Sequence, residues 1–195
     1  MLSEKPFSNL DRTPRIQEAV EEMYDLIVIG GGITGAGIAL DASLRGLKTL
    51  LVEKNDFASG TSSNSTKLIH GGLRYLKQLE FGLVRETGLE RSIAHENICH
   101  VIHPETMLLP IVDGGTFNLF SAGLAIQVYD FLADVSASQK RKKLTKSQVL
   151  EMEPNLSSNG LKSGIAYAEY RTDDARLTIE LVKSARRQGA EAFNH

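Results

Sequence analysis

The chain of 195 residues has no tryptophan, one cysteine, five prolines and almost no net charge. With Cys99 alone, neither an intrachain disulfide nor a four-thiolate metal site is possible, which fits a reducing compartment. Its 22 Lys and Arg face 24 Asp and Glu, a formal net charge of −2, so no global basic field draws it to nucleic acid. The apolar runs fall far short of the roughly 18–20 residues that span a bilayer. Residues 1–22 lack the apolar stretch of a signal peptide and read as a polar leader. Hydrophobic residues at 42% and charged residues at 24% exclude a disordered or fibrous chain. A soluble intracellular protein is expected, of a length that suits one domain.

Periodicity then orders the chain. Thr13 and Pro14 predict a short polar helix over 15–22, with Thr13 as its N-cap. Leu26 to Ile29 is a short β-branched run of the kind found in buried parallel strands, and it stops at Gly30-Gly31-Gly32. A helix from Ile33 to about Arg45 follows, closed by Gly46, and Thr49 to Val52 forms a second strand that ends at Glu53. Together these make a βαβ unit with a right-handed crossover. Further on, the pattern predicts a helix over 79–97, a strand over 107–110, a turn at Gly114-Gly115 and an amphipathic helix over 117–133. The polar positions of that last helix carry no Lys or Arg, so it reads as packed rather than membrane-bound. Lys140 to Lys143 reads as a solvated basic turn. Thr145 and Gln148 form a capping box that opens a short helix ended by Pro154. A strand over 165–170, a helix capped by Asp173 or Asp174 and running to about Gln188, and a strand over 190–193 complete the pattern.

The chemistry concentrates between Gly30 and Gly72. In Gly30-x-Gly32-x-x-Gly35, extended by Ala39 and Gly46, Gly30 permits a tight turn, Gly32 admits a pyrophosphate, and Gly35 and Ala39 let helix and strand pack closely. The helix N-terminus offers N–H groups and a positive dipole end to phosphates. Glu53, 18 residues past Gly35, suits an adenosine ribose and disfavours a 2′-phosphate, which points away from NADP while NAD and FAD stay open. The Ser/Thr-rich stretch from Ala58 to Thr66 tilts the choice to FAD, because it offers donors along an extended phosphate-bearing ligand. His95, Cys99, His100 and His103 do not have the spacing of a zinc site, and no metal is expected.

Three blocks carry a resemblance. Gly30-Gly31-Gly32-Ile33-Thr34-Gly35 through Gly46, then Thr61-Ser62-Ser63-Asn64-Ser65-Thr66-Lys67-Leu68-Ile69-His70-Gly71-Gly72-Leu73-Arg74-Tyr75-Leu76, and then Tyr170-Arg171-Thr172-Asp173-Asp174-Ala175-Arg176-Leu177 resemble the FAD-dependent glycerol-3-phosphate dehydrogenase family. The likeness runs from about Tyr24 to the last residue, and the sibling α-glycerophosphate oxidases share its first two blocks. Asn64 departs from the Arg or small residue common in relatives. The resemblance implies an α/β fold: an FAD-binding Rossmann-like domain of the glutathione-reductase/amino-acid-oxidase type, incomplete, with the start of an α+β substrate domain. Residues 23–100 and 169–195 would form the FAD domain, residues 101–168 the start of the substrate domain.

The resemblance also implies roles. Gly30, Gly32, Thr34 and Gly35 would contact the FAD pyrophosphate, Glu53 with Lys54 beside it the adenosine ribose, and Thr61, Ser62 and Ser63 the pyrophosphate and ribityl side. Lys67, Leu68 and Ile69 would run beside the isoalloxazine ring. His70 would take the substrate proton, and Arg74 and Tyr75 would bind the phosphorylated substrate, for which an Arg fork is well shaped. The expected reaction oxidises sn-glycerol 3-phosphate to dihydroxyacetone phosphate in glycerol catabolism, with electrons passing to a quinone, or to oxygen in an oxidase. A cytoplasmic location with peripheral contact on the inner face of the membrane goes with it. A truncated FAD-binding module without turnover is the alternative. The family's late substrate-site blocks are missing, so these 195 residues alone are expected to bind FAD weakly and not to turn over. An amine- or amino-acid-oxidising flavoenzyme is disfavoured by the block from His70 to Tyr75.

Overall fold

The structure is a computed structural model that describes residues 7–8, 10–70, 80–115 and 141–195. The expected helix over 117–133, Gly71-Gly72, Arg74, Tyr75 and Lys140 lie outside the described residues. By contact the chain divides into two units, residues 1–67 with 173–195, and residues 68–172.

The first unit is a parallel sheet with helices. Helix α1 spans Arg12–Glu21, β1 Leu26–Ile29, α2 Ile33–Leu44, β2 Thr49–Glu53, α5 Asp174–Arg187 and β7 Glu191–Asn194. The strand order is β1-β2-β7, all parallel, with Leu26 beside Thr49 and Leu50 beside Glu191. Each crossover returns through a helix, and α2 and α5 pack on one another through small residues. Ala36, Ala39, Val182 and Ala185 join Val28, Leu51, Phe57, Ala190 and Ala192 in one buried cluster. Ala at 36 and 39 is what lets the two helices approach the sheet and each other. Helix α1 starts two residues earlier than the Thr13–Pro14 signal indicates: Asp11 is the N-cap residue and makes no side-chain cap bond. The helix is instead held from its flank, where Arg15 is paired with Glu191 at 2.6 Å and lies 4.9 Å over the Phe193 ring. Strand β1 also departs from a fully buried strand. Val28 is buried, while Ile27 is 56% and Ile29 87% exposed, because α2 and α5 cover the face of Val28, and among the described residues α1 reaches the other face at β7, where Arg15 meets Glu191 and Phe193.

The second unit is antiparallel. It contains β3 (Leu68–Ile69), α3 (Phe81–Asn97), β4 (Ile102–Val112), β5 (Lys142–Thr145), α4 (Lys146–Met152) and β6 (Leu161–Thr172). Strand β6 is central: β4 pairs along its length, and β5 and β3 also pair with it. Strand β4 is far longer than the 107–110 run. Pro104 and Pro110 sit inside it, at the edge of the sheet among the described residues, where a missing N–H costs no ladder bond. The second half of the basic run is not a turn: Lys142 and Lys143 pair with Ala166 and Ile165 as a short strand, at the edge among the described residues, their side chains in solvent. The capping box forms as expected, with Gln148 N–H donating to Thr145 Oγ1 and Thr145 N–H to Gln148 Oε1. One ion pair is enclosed here: Arg91 and Glu169 meet at 2.9 Å with side chains 2% and 4% exposed, and Arg91 stacks 4.9 Å over Tyr170.

Candidate functional site

The glycine-rich turn between β1 and α2 is built around close approaches. Gly30 has φ +112°, and its N–H donates to Val52 O at 2.8 Å, tying the turn to the end of β2. A Cβ on Gly35 would stand 1.9 Å from Gly30 O, so any side chain there pushes α2 off the turn. A Cβ on Gly32 would stand 2.9 Å from Ser62 Oγ. Gly31, a variable position of the motif, is as restricted: its Cβ would meet Phe57 Cδ1 at 2.5 Å and Glu53 Cβ at 2.8 Å.

These approaches leave the start of α2 open as a donor surface. The first intrahelical bond runs from Ala36 N–H to Gly32 O at 2.9 Å, so the N–H groups of residues 33–35 have no acceptor within the helix. One of them, Ile33 N–H, donates to Ser62 Oγ at 2.9 Å. An oxygen atom therefore already sits at the positive end of α2, where a phosphate oxygen is favoured. Thr34 is exposed on the same first turn.

Glu53 closes the other side. Its Oε2 accepts from Gly31 N–H and its Oε1 from Asn55 N–H, both at 2.7 Å. The Gly31 amide, then the Asn55 amide, hold its carboxyl below the ordinary glutamate range. The side chain is thus fixed and ionised, with lone pairs left for hydroxyl donors. Lys54 beside it is exposed.

Residues 58–67 wrap past this turn. Ala58 N–H donates to Gly31 O at 3.0 Å, and Gly60 O accepts from Ser63 N–H at 3.2 Å and from Asn64 Nδ2 at 2.8 Å. Ala58 and Lys67 bound the loop with φ +61° and +62°, a conformation that L side chains rarely adopt. Thr61 is exposed, while Ser62 and Ser63 are half-buried. Lys67 folds back on its own loop, its Nζ donating to Ser63 O at 2.5 Å.

Gly30, Gly32, Thr34, Gly35, Glu53, Ser62, Ser63 and Lys67 thus all belong to the turn and loop of the first unit. Leu68 and Ile69 form β3 in the second unit, paired with Arg171 and Tyr170, and His70 follows them, exposed. Arg74 and Tyr75 lie outside the described residues. Among the described residues, no group of three or more His, Cys, Asp or Glu is placed to hold a metal; His95 is engaged at Nδ1 with Ile102 O, 3.0 Å away. Sequence reasoning missed Gly31 and Phe57. The triple glycine was a signal for the first, but nothing local marks the second. The donor-rich helix start, glycine-only clearance and fixed acid at the end of β2 fit the diphosphate and ribose of a dinucleotide, and disfavour a 2′-phosphate beside Glu53.

Comparison with known proteins agrees with that chemistry. Residues 25–195 match the family described as FAD dependent oxidoreductase. The chain is 59% identical over 172 residues to an aerobic glycerol-3-phosphate dehydrogenase of Staphylococcus epidermidis, covering 88% of this chain and 31% of that protein. It is 60% identical over 172 residues to the protein of the same name in Staphylococcus aureus, with the same coverage. The chain therefore spans about a third of the length of the curated relatives it matches. Among solved structures it is similar to the glycerol-3-phosphate dehydrogenase of Bacillus halodurans complexed with FAD, with a TM-score of 0.73 and 46% identity over 97% of this chain and 30% of that one. The L-alpha-glycerophosphate oxidase of Mycoplasma pneumoniae with FAD bound shares the fold, with a TM-score of 0.67 and 18% identity over 89% of this chain and 45% of that one.

Proposed function

The chain belongs to the FAD-dependent oxidoreductase family, and from that premise we propose that it is the FAD-cradling part of an enzyme that oxidises sn-glycerol 3-phosphate to dihydroxyacetone phosphate. The observation that carries the cofactor half is the turn itself: a Cβ at Gly35 would stand 1.9 Å from Gly30 O, at the start of a helix whose first N–H groups have no acceptor within the helix and beside the fixed carboxylate of Glu53. The substrate half is supported by the relatives at 59–60% identity, which are named for glycerol 3-phosphate.

In this reading Gly30, Gly32, Thr34 and Gly35 hold the pyrophosphate through backbone N–H groups and the α2 dipole. Glu53 accepts from the adenosine ribose, with Lys54 at its side. Thr61, Ser62 and Ser63 line the pyrophosphate and ribityl chain, and Lys67, Leu68 and Ile69 the isoalloxazine. When bound, the flavin supplies a hydride acceptor. His70 takes the proton of the C2 hydroxyl, a task suited to an imidazole near neutrality. Arg74, with Tyr75, binds the substrate phosphate through its planar fork. Residues 23–100 and 169–195 serve the cofactor domain and 101–168 begin the substrate domain, an assignment by function, since by contact residues 68–70, 80–100 and 169–172 fall in the second unit.

A dehydrogenase passing electrons to a quinone in glycerol catabolism is favoured over an oxygen-using oxidase, because the likeness to the oxidase stands at 18% identity against 59% for the dehydrogenase. Quinone reduction implies a cytoplasmic protein in peripheral contact with the inner face of the membrane. Among the described residues no helix is long and apolar enough to cross one.

The test is anaerobic reduction in an FAD-loaded protein of the relatives' length that carries these residues. Adding sn-glycerol 3-phosphate bleaches the visible flavin band, while glycine and proline leave it intact. Bleaching by an amino acid and not by glycerol 3-phosphate refutes the substrate assignment.

A further inference from the structure

Two tethers of the loop of residues 58–67 belong to the cradle already described: Ala58 N–H to Gly31 O, and Ile33 N–H to Ser62 Oγ. A further one comes from α5, more than a hundred residues further along the chain. Ser65 Oγ donates to Asp174 Oδ2 and accepts from Lys67 N–H at 3.0 Å. Lys67 Nζ lies 3.7 Å from the same Asp174 Oδ2 while donating to Ser63 O. The Asp174 side chain is 14% exposed, so this carboxylate is largely withdrawn from water and committed to the loop.

The helix does not need that carboxylate as a cap. Asp173 is the N-cap, accepting from Arg176 N–H at 3.0 Å. The Asp174 backbone is itself anchored, its carbonyl accepting from Thr178 Oγ1 at 2.9 Å, with Thr178 fully buried. The side chain is therefore presented from a rigid element to the end of the loop where Lys67 is held at φ +62°. Such a conformation persists only where its surroundings over-determine it. At Lys67 those surroundings are Ser63 O, Ser65 Oγ and the Asp174 carboxylate.

We propose that Asp174 is the positioning residue of the cofactor loop, holding residues 58–67 in shape through Ser65 and Lys67. The proposal rests on the reading of residues 30–67 as the FAD cradle. It assigns the acid after the α5 cap a task that helix capping does not explain. It also makes the Lys67 ammonium a partner of the loop and of Asp174.

Two measurements on the 195-residue chain test it: FAD affinity by fluorescence quenching, and the rate at which trypsin cuts after Lys67 without FAD. The proteins are wild type, Ser65→Ala, Asp174→Ala, Asp174→Glu and the Ser65→Ala/Asp174→Ala double variant. Ser65→Ala and Asp174→Ala each weaken FAD binding about tenfold, the loss of one hydrogen bond to a charged group. The double variant is no worse than the weaker single one, and cutting after Lys67 quickens in all three. Asp174→Glu keeps an acid in the first turn of α5, so its thermal midpoint stays at the wild-type value while its FAD affinity falls with the others. If Asp174 serves only the helix dipole, Asp174→Glu restores FAD affinity and Ser65→Ala changes nothing; either result overturns the proposal. A wild-type chain that binds no FAD overturns the cradle reading instead. The cleavage rates then still decide on the tether, since cutting at the wild-type rate in Ser65→Ala and Asp174→Ala removes it.

Discussion

Glu53→Gln separates the structural work of this acid from any ligand. In the wild type both oxygens accept backbone N–H groups at 2.7 Å, one from Gly31 and one from Asn55. An amide offers one oxygen and one NH2 group, so only one of the two donors keeps an acceptor. Gly31 is buried and Asn55 exposed, so the amide oxygen turns to Gly31 and its NH2 group faces Asn55 N–H, which water then satisfies. The Gly31 bond falls from charge-assisted to neutral, a loss of about 1 kcal/mol. Losing the Asn55 bond, with water in its place, costs about 1 kcal/mol more. The total of about 2 kcal/mol lowers the thermal midpoint by roughly 4–8 °C in a chain of this size. The effect carries a pH signature. Because the Gly31 and Asn55 amides hold the Glu53 carboxyl below its ordinary range, its contribution is present above the unfolded-state pKa and fades as pH falls through the folded one. Urea midpoints of both proteins, measured from neutral pH down through the carboxylate range, therefore converge in acid. A variant as stable as wild type at neutral pH, or a gap that stays constant in acid, refutes the reasoning.

Three further outcomes follow from other parts of the chain. Gly35→Ala drives a Cβ to 1.9 Å from Gly30 O and destabilises the first unit by about 1–3 kcal/mol, read by urea midpoint, with FAD affinity lost in the same protein. Arg91→Met removes the guanidinium paired with Glu169, whose side chain is 4% exposed, and costs about 3–5 kcal/mol, whereas Arg91→Met/Glu169→Leu regains most of it; a double variant no better than the single one contradicts the buried-pair account. In an FAD-loaded protein of the relatives' length, Arg74→Ala raises KM strongly for sn-glycerol 3-phosphate and little for glycerol. Equal effects on both remove Arg74 from the phosphate site.

Local signals carried the first unit well. The β-branched run to Ile29, the glycines at 30, 32 and 35, and the strand ending in Glu53 are contiguous, and each element is decided by neighbours within a few residues. The same holds for the capping box at Thr145 and the Asp173 cap of α5. Long-range pairing was illegible. Strand β4 extends the apolar run of 107–110 back through Pro104 to Ile102 and on to Val112, an extension set by its pairing with β6. Lys142 and Lys143 carry no strand periodicity, and they pair because β6 offers an open ladder. The exposure of Ile27 and Ile29 likewise depends on where helices lie, not on the run itself. In the site, the motif glycines were readable from spacing. The constraints on Gly31 by Phe57 and on residues 58–67 by Asp174 were not, because both arise between residues that the chain brings together only on folding.

Titration of the 195-residue chain with FAD, followed by displacement with ADP and with NADP+, tests the central claim most directly. A cradle built on Gly30, Gly32, Gly35 and Glu53 binds FAD saturably and weakly, releases it to ADP, and ignores NADP+, whose 2′-phosphate meets the Glu53 carboxylate. No saturable FAD binding, or displacement by NADP+ as readily as by ADP, contradicts it.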